Sequence, residues 1–114
     1  MAPRIYVNPS CSKCRTALSL LEERGVRADT ILYLDEPPSV ADLEGLMKLL
    51  AIDDPRLMMR TGEAVYAELA LDDADGEALL EAMAHHPILL ERPIFVVADR
   101  AVVARPPERL LELL

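Results

Sequence analysis

Two cysteines lie close together in Asn8-Pro9-Ser10-Cys11-Ser12-Lys13-Cys14-Arg15, and the chain contains no others. A short apolar run, Ile5-Tyr6-Val7, precedes them, and a helical pattern, Thr16 to Glu23, follows. A strand that ends in a proline-containing loop and then opens a helix puts Cys11 at or just before the helix N-terminus. The unpaired N–H groups and the positive dipole end there favour an anion, and a thiolate is one. Cys11 therefore reads as the attacking thiolate. Cys14, one turn in, reads as a less exposed thiol able to resolve an intermediate, since i and i+3 positions lie within disulfide reach. Lys13 and Arg15 add positive charge nearby. Two other readings remain at this stage. A less favoured reading makes the pair partly buried, inert thiols. A zinc site would need His85 and His86 to complete four ligands, but adjacent histidines point to different sides of a helix, so no metal is expected.

Three arginines have types and contexts suited to holding an oxyanion: Arg60, Arg92 in Arg92-Pro93-Ile94, and Arg105 in Arg105-Pro106. The guanidinium fork is planar and offers paired donors to a tetrahedral oxyanion. Taken singly, each arginine reads as a solvated or ion-paired side chain, and they act together only if the fold brings them to Cys11. Pro93 stands at the first residue of a strand, where a missing N–H is tolerated, and it keeps Arg92 extended. His85-His86-Pro87 reads as a helix end, where a cation is favourable, and Met58-Met59 as core.

These residues are positioned by an alternation of short elements. Residues 4–8 form a predicted strand, Ser12 to Arg24 a helix with Gly25 just past its end, and Thr30 to Leu34 a second strand. Strand, helix and strand within so short a span form a βαβ unit, which requires parallel strands and a right-handed crossover. Ser39 and Asp42 resemble a capping box, and Leu43, Leu46, Met47 and Leu50 continue at helical spacing. Asp54-Pro55 starts a short turn over Arg56 to Arg60. A short helix is expected over Glu63–Leu69, and a further one capped by Asp75 must end near His86, before Pro87. Residues 39–86 thus read as an all-helical insertion within a single domain spanning 1–114. Ile94–Val97 and Ala101–Ala104 are two more predicted strands with a turn at Asp99-Arg100. Pro106-Pro107 opens a closing helix from Glu108 to Leu114.

The totals limit the classes of function. At 114 residues the chain suffices for one domain with a single core, and 52% apolar with 28% charged residues is a globular composition. Twenty acidic residues against twelve basic ones give a net charge of −8, which disfavours a nucleic-acid-binding surface but permits a local arginine cluster to hold a small anion. No stretch approaches the ~20 apolar residues of a membrane helix, and Met1-Ala2-Pro3-Arg4 does not open a signal peptide. A cytoplasmic protein without a membrane association is therefore expected. There the C-x-x-C spacing reads as redox or metal chemistry rather than a structural staple.

The motifs, in their order, resemble those of the glutaredoxin-coupled arsenate reductases, a branch of the thioredoxin-like superfamily. The resemblance is carried by Tyr6 to Cys11, by Ile31 to Leu34 with Pro37-Pro38-Ser39, and by Leu57-Met58-Met59-Arg60. It continues through His86 to Leu89, Glu91 to Ile94, and Arg105-Pro106 before a Leu-rich end. It implies an α/β, thioredoxin-like fold: a four-stranded mixed sheet flanked by helices, with an all-helical insertion after the second strand. It further implies that Cys11 attacks arsenate, that Arg60, Arg92 and Arg105 hold the oxyanion, and that Pro93 is the superfamily's cis-proline beside the cysteine. No tightly bound cofactor is implied; glutathione with glutaredoxin, or thioredoxin, is the expected reductant. This chain departs from the family twice. Val7 stands where the family has a histidine, leaving Cys11 to be activated by the helix end, Asn8, Arg15 and the arginines. Cys14 is a second loop cysteine that the family lacks.

Two rival functions use the same residues. One is a general thiol–disulfide oxidoreductase working through Cys11 and Cys14. The other is a redox-sensing regulator of the Spx type, with RNA polymerase as its partner. Arg105-Pro106 counts against both: disulfide exchange needs no oxyanion site, and Spx-type proteins lack the third arginine.

Overall fold

The computed structural model describes residues 2–114. By contacts the chain divides into two compact units, one running up to Glu36 and including Arg92–Leu114, the other Pro37–Glu91.

The first unit holds a four-stranded mixed sheet in the order β2-β1-β3-β4. Strand β1 (Arg4–Val7) leads through the cysteine loop to helix α1 (Ser12–Glu23), which returns the chain to β2 (Asp29–Leu32). β2 runs parallel to β1, with Ile5 opposite Thr30 and Val7 opposite Leu32. Helix α1 ends as its sequence demands. Gly25 takes a left-handed φ of 67°, its N–H donates to the Glu22 carbonyl, and the Val26 N–H donates to that of Leu21. This is the pairing that lets glycine close a helix. β3 (Ile94–Val97) then joins β1 antiparallel, and β4 (Arg100–Val103) pairs antiparallel with β3.

One face of this sheet, with α1 and the closing segment, forms a buried cluster of Ile5, Val7, Cys14, Ala17, Leu21, Phe95, Val102, Ala104 and Leu110. The alternation of β1 dictates it. Ile5 and Val7 point into this cluster, so Val7 is core.

The second unit is helical. Helix α2 (Val40–Leu50) starts with the expected capping box. The Asp42 N–H donates to Ser39 Oγ at 3.1 Å and the Ser39 N–H donates back to the Asp42 carboxylate at 3.0 Å. Asp54 caps a 3-10 turn, Pro55–Met58. Helices α3 (Ala64–Glu68) and α4 (Gly76–His85) follow, the latter capped by Asp75. Arg56 fastens the loops of this unit together: it donates to Tyr66 Oη at 3.0 Å and to the carbonyls of Leu71, Asp72 and Ala74 at 2.7–3.1 Å.

Several boundaries differ from the sequence expectations, α1, α3 and β4 by one residue at one or both ends. β1 stops at Val7, and β2 is Asp29–Leu32 rather than Thr30 to Leu34. At its end the Leu32 carbonyl accepts from the N–H groups of Asp35 and Glu36, which turns the chain. The hairpin turn falls at Ala98-Asp99 instead of Asp99-Arg100, because Val97 pairs with Arg100. The closing segment, Pro107–Leu113, is a 3-10 helix. Its bonds span three residues, as in Arg109 N–H to the Pro106 carbonyl, and it is too short to gain much from the wider α-helical ladder.

Candidate active site

The loop Asn8–Cys11 is tied to itself. The Ser10 N–H donates to Asn8 Oδ1 at 3.0 Å, the Cys11 N–H donates to the Asn8 carbonyl at 2.9 Å, and Arg15 Nη1 donates to the Pro9 carbonyl at 3.1 Å. Cys11 caps α1, half-buried, with an extended backbone (φ −89°, ψ 123°). Cys14 lies one turn in and is fully buried. Its sulfur accepts the Asn8 N–H at 3.4 Å. Both cysteines are free thiols.

Two arginines stand at the Cys11 sulfur. Arg92 hydrogen-bonds it. Arg105 Nη1 lies 4.0 Å from it and also donates to the Arg92 carbonyl at 2.9 Å. The peptide bonds Arg92–Pro93 and Arg105–Pro106 are both cis. The first was implied by the family resemblance, whereas the second was not anticipated. Arg15 is spent on the loop carbonyl, and Lys13 contributes its backbone amide rather than its ammonium to the sulfur.

This arrangement drives the two thiols apart. Burial pushes the Cys11 thiol up, but the Cys14 amide, the Arg92 guanidinium, the Cys14 thiol and the Lys13 amide outweigh it and bring Cys11 down to about 6. Burial pushes the Cys14 thiol up to about 11, with the Asn8 amide opposing and the charge of Cys11 adding to the rise. Near neutral pH these shifts favour a thiolate at Cys11 and a thiol at Cys14. The Arg92 guanidinium is held in its charged form: burial works against the charge and is outweighed by the Cys11 hydrogen bond and by charge interactions with Tyr33, Cys11 and Cys14. Tyr33, fully buried just past β2, was read from the sequence only as part of a strand. Its position directly after a parallel strand, near the cysteine loop, is the signal that could have marked it.

Arg60 belongs to the second unit. Its Nε pairs with Glu63 Oε1 at 3.1 Å and its Nη1 with Glu91 Oε1 at 3.2 Å. These residues, with Met59, Thr61 and Gly62, line an open cleft of about 410 Å³. Among the described residues no group of three or more His, Cys, Asp or Glu side chains is placed to hold a metal ion, and no helix is long and apolar enough to cross a membrane.

A thiol brought down to about 6 at a helix N-terminus, with two arginines beside it on a four-stranded mixed sheet, is an arrangement suited to thiol chemistry on an anion. Residues 6–113 match the ArsC family, and the chain belongs to that family. It is 48% identical over 109 residues to the arsenate reductase of Neisseria meningitidis serogroup A, covering 94% of this chain and 93% of that one. The protein YfgD of Escherichia coli K12 is 46% identical, covering 96% and 94%. Among solved structures, the arsenate reductase from Vibrio cholerae superposes with a TM-score of 0.97 at 46% identity, covering 100% of this chain and 98% of that one.

Proposed function

We propose that this protein reduces arsenate to arsenite, with Cys11 as the nucleophile. The observation that carries this reading is the Arg105 guanidinium 4.0 Å from a Cys11 sulfur that Arg92 also hydrogen-bonds. A bare thiolate would repel an arsenate dianion. Two guanidinium groups offset that repulsion and bind the oxygens while the sulfur approaches arsenic. The Cys11 sulfur bonds to arsenic, one arsenic oxygen leaves as water after protonation, and a covalent thiol–arsenate adduct results. The related arsenate reductases support arsenate as the oxyanion.

Asn8 and Arg15 support the reaction by fixing the loop, and Pro93 by presenting Arg92 at the start of β3. Arg60 enters the proposal through the family motif Leu57 to Arg60. For it to bind an oxyanion, the anion must displace the carboxylates of Glu63 and Glu91 from its guanidinium. We further propose that the chain works as one domain, with Pro37–Glu91 as an insertion, in the cytoplasm, and that a thiol reductant completes turnover. Glutathione with glutaredoxin is the family's reductant, and thioredoxin the alternative.

The test is arsenate-dependent oxidation of a thiol reductant, run with glutathione and glutaredoxin and with thioredoxin. Arsenite formation is expected for the native chain and none for Cys11→Ser. Arg105→Ala should lose about 10²–10³ in kcat, the usual consequence of removing one preorganised donor to a developing negative charge. Full activity in Cys11→Ser overturns the proposal. Disulfide exchange without any arsenate dependence would favour a general thiol–disulfide oxidoreductase, the reading that the Cys11–Cys14 pair alone supports.

A further inference from the structure

Arsenate reduction takes two electrons, and the adduct on Cys11 still contains pentavalent arsenic. A second thiol must supply the remaining bond change. We propose that this thiol is Cys14, so that arsenite is released by the chain itself and the enzyme is left as a Cys11–Cys14 disulfide. This inference rests on the arsenate reading above.

The geometry supports the step. The two residues are the cap and third residue of the same helix turn, which sets their side chains one above the other at the start of α1. Cap and third residue of one turn fall within the Cα range of a disulfide, so the pair is placed for closure. Cys14 is fully buried against Ala17, Val7 and Leu110 in the core cluster, so no thiol from solution competes for its place beneath the adduct. The Asn8 N–H, 3.4 Å away, already points at the Cys14 sulfur and stabilises negative charge as it forms there. The charge on Cys11 that opposes ionisation of Cys14 leaves that sulfur once it is bonded to arsenic.

The step balances as follows. The Cys14 sulfur attacks the Cys11 sulfur, a sulfur–sulfur bond forms, and the sulfur–arsenic bond breaks with its electron pair remaining on arsenic. Arsenic falls from the pentavalent to the trivalent state, the two thiols are oxidised to one disulfide, and the Cys14 proton passes to an arsenite oxygen. No external reductant takes part until the disulfide must be reopened. The burial of Cys14 then decides where that happens. An incoming thiolate reaches only the Cys11 sulfur, so the mixed disulfide forms on Cys11 and Cys14 is expelled as the leaving group. A dithiol protein suits this task, because its second thiol breaks the mixed disulfide.

The test begins with the native, fully reduced protein and arsenate, with no added thiol. The expected result is one arsenite per chain, loss of both free thiols, and a Cys11–Cys14 disulfide identified by peptide mass. Cys14→Ser, and Cys14→Ala as a second variant, should release no arsenite under these conditions, and addition of glutathione should then release it. If the native chain yields arsenite only when glutathione is present, and Cys14→Ser matches it, the Cys14 proposal is overturned and the arsenate reading stands. If no reductant supports arsenite formation in the native chain, the arsenate reading itself is overturned. A fully reduced native protein that keeps both thiols after arsenate treatment with glutathione absent also overturns the Cys14 proposal, without recourse to any variant.

Discussion

Cys11 and Cys14 are the same residue type three positions apart, yet the chain gives them opposite characters. One caps the helix beside two arginines, and the other faces the core. The ionisation of Cys11 has a measurable consequence. With its thiol brought down to about 6, alkylation by iodoacetamide should rise with pH to a midpoint near that value and then level off, while an ordinary thiol would still be rising. Because Arg92 is among the groups that lower it, Arg92→Ala should move the midpoint upward. The stability linkage has the matching sign. A depressed Cys11 contributes stability that is fully present above its ordinary value of 9.0 and is lost as pH falls through about 6. At this scale the sequence spoke clearly about the cysteines, whose spacing and setting are local. Their partners came only from the family resemblance, not from local pattern. Arg105 and Cys11 are 94 residues apart, and Glu91 is 31 residues from Arg60; no local pattern records either contact.

The elements were legible where local chemistry decides them. The Ser39–Asp42 box, the Asp54 and Asp75 caps and Gly25 all lie where a few neighbouring residues satisfy orphan backbone groups. Ser39→Ala should therefore cost about 1 kcal/mol, read as a lower urea midpoint with an unchanged slope. Strand ends were less legible because pairing sets them. Tyr33 and Leu34 have the composition of a strand, but β1 stops at Val7 and offers no partner beyond Leu32. The hairpin failed for a related reason. Its two-residue loop puts Ala98 at φ 53°, a conformation for which asparagine or glycine is the usual signal, so alanine left the turn unmarked.

Taken whole, the chain carries a net charge of −8 yet places arginines at its reactive sulfur. The proposed function depends on where charge is gathered rather than on its sum. Filter binding or gel shift with duplex DNA at physiological salt should give no retained complex, since counterion release needs an extended basic surface. Retention that weakens with salt would contradict this. The order of the motifs was enough to reveal the fold, because strand, cysteine loop, helix, strand and later hairpin follow one another in the chain. The second compact unit was legible as the helical stretch 39–86, but its seams at Glu36 and Arg92 were not marked by a glycine- or serine-rich linker.

The bonds within Asn8–Cys11 bear on how an anion is captured. Ser10, Cys11 and Arg15 satisfy the loop's acceptors before any ligand arrives, so the entropy of ordering the loop is lost during folding and not at binding. An anion bound as proposed would meet a loop already ordered, and only side chains would need to adjust. Capture should then be limited by encounter and by water leaving the guanidinium groups, with the backbone around the sulfur nearly unchanged between the empty and the occupied site.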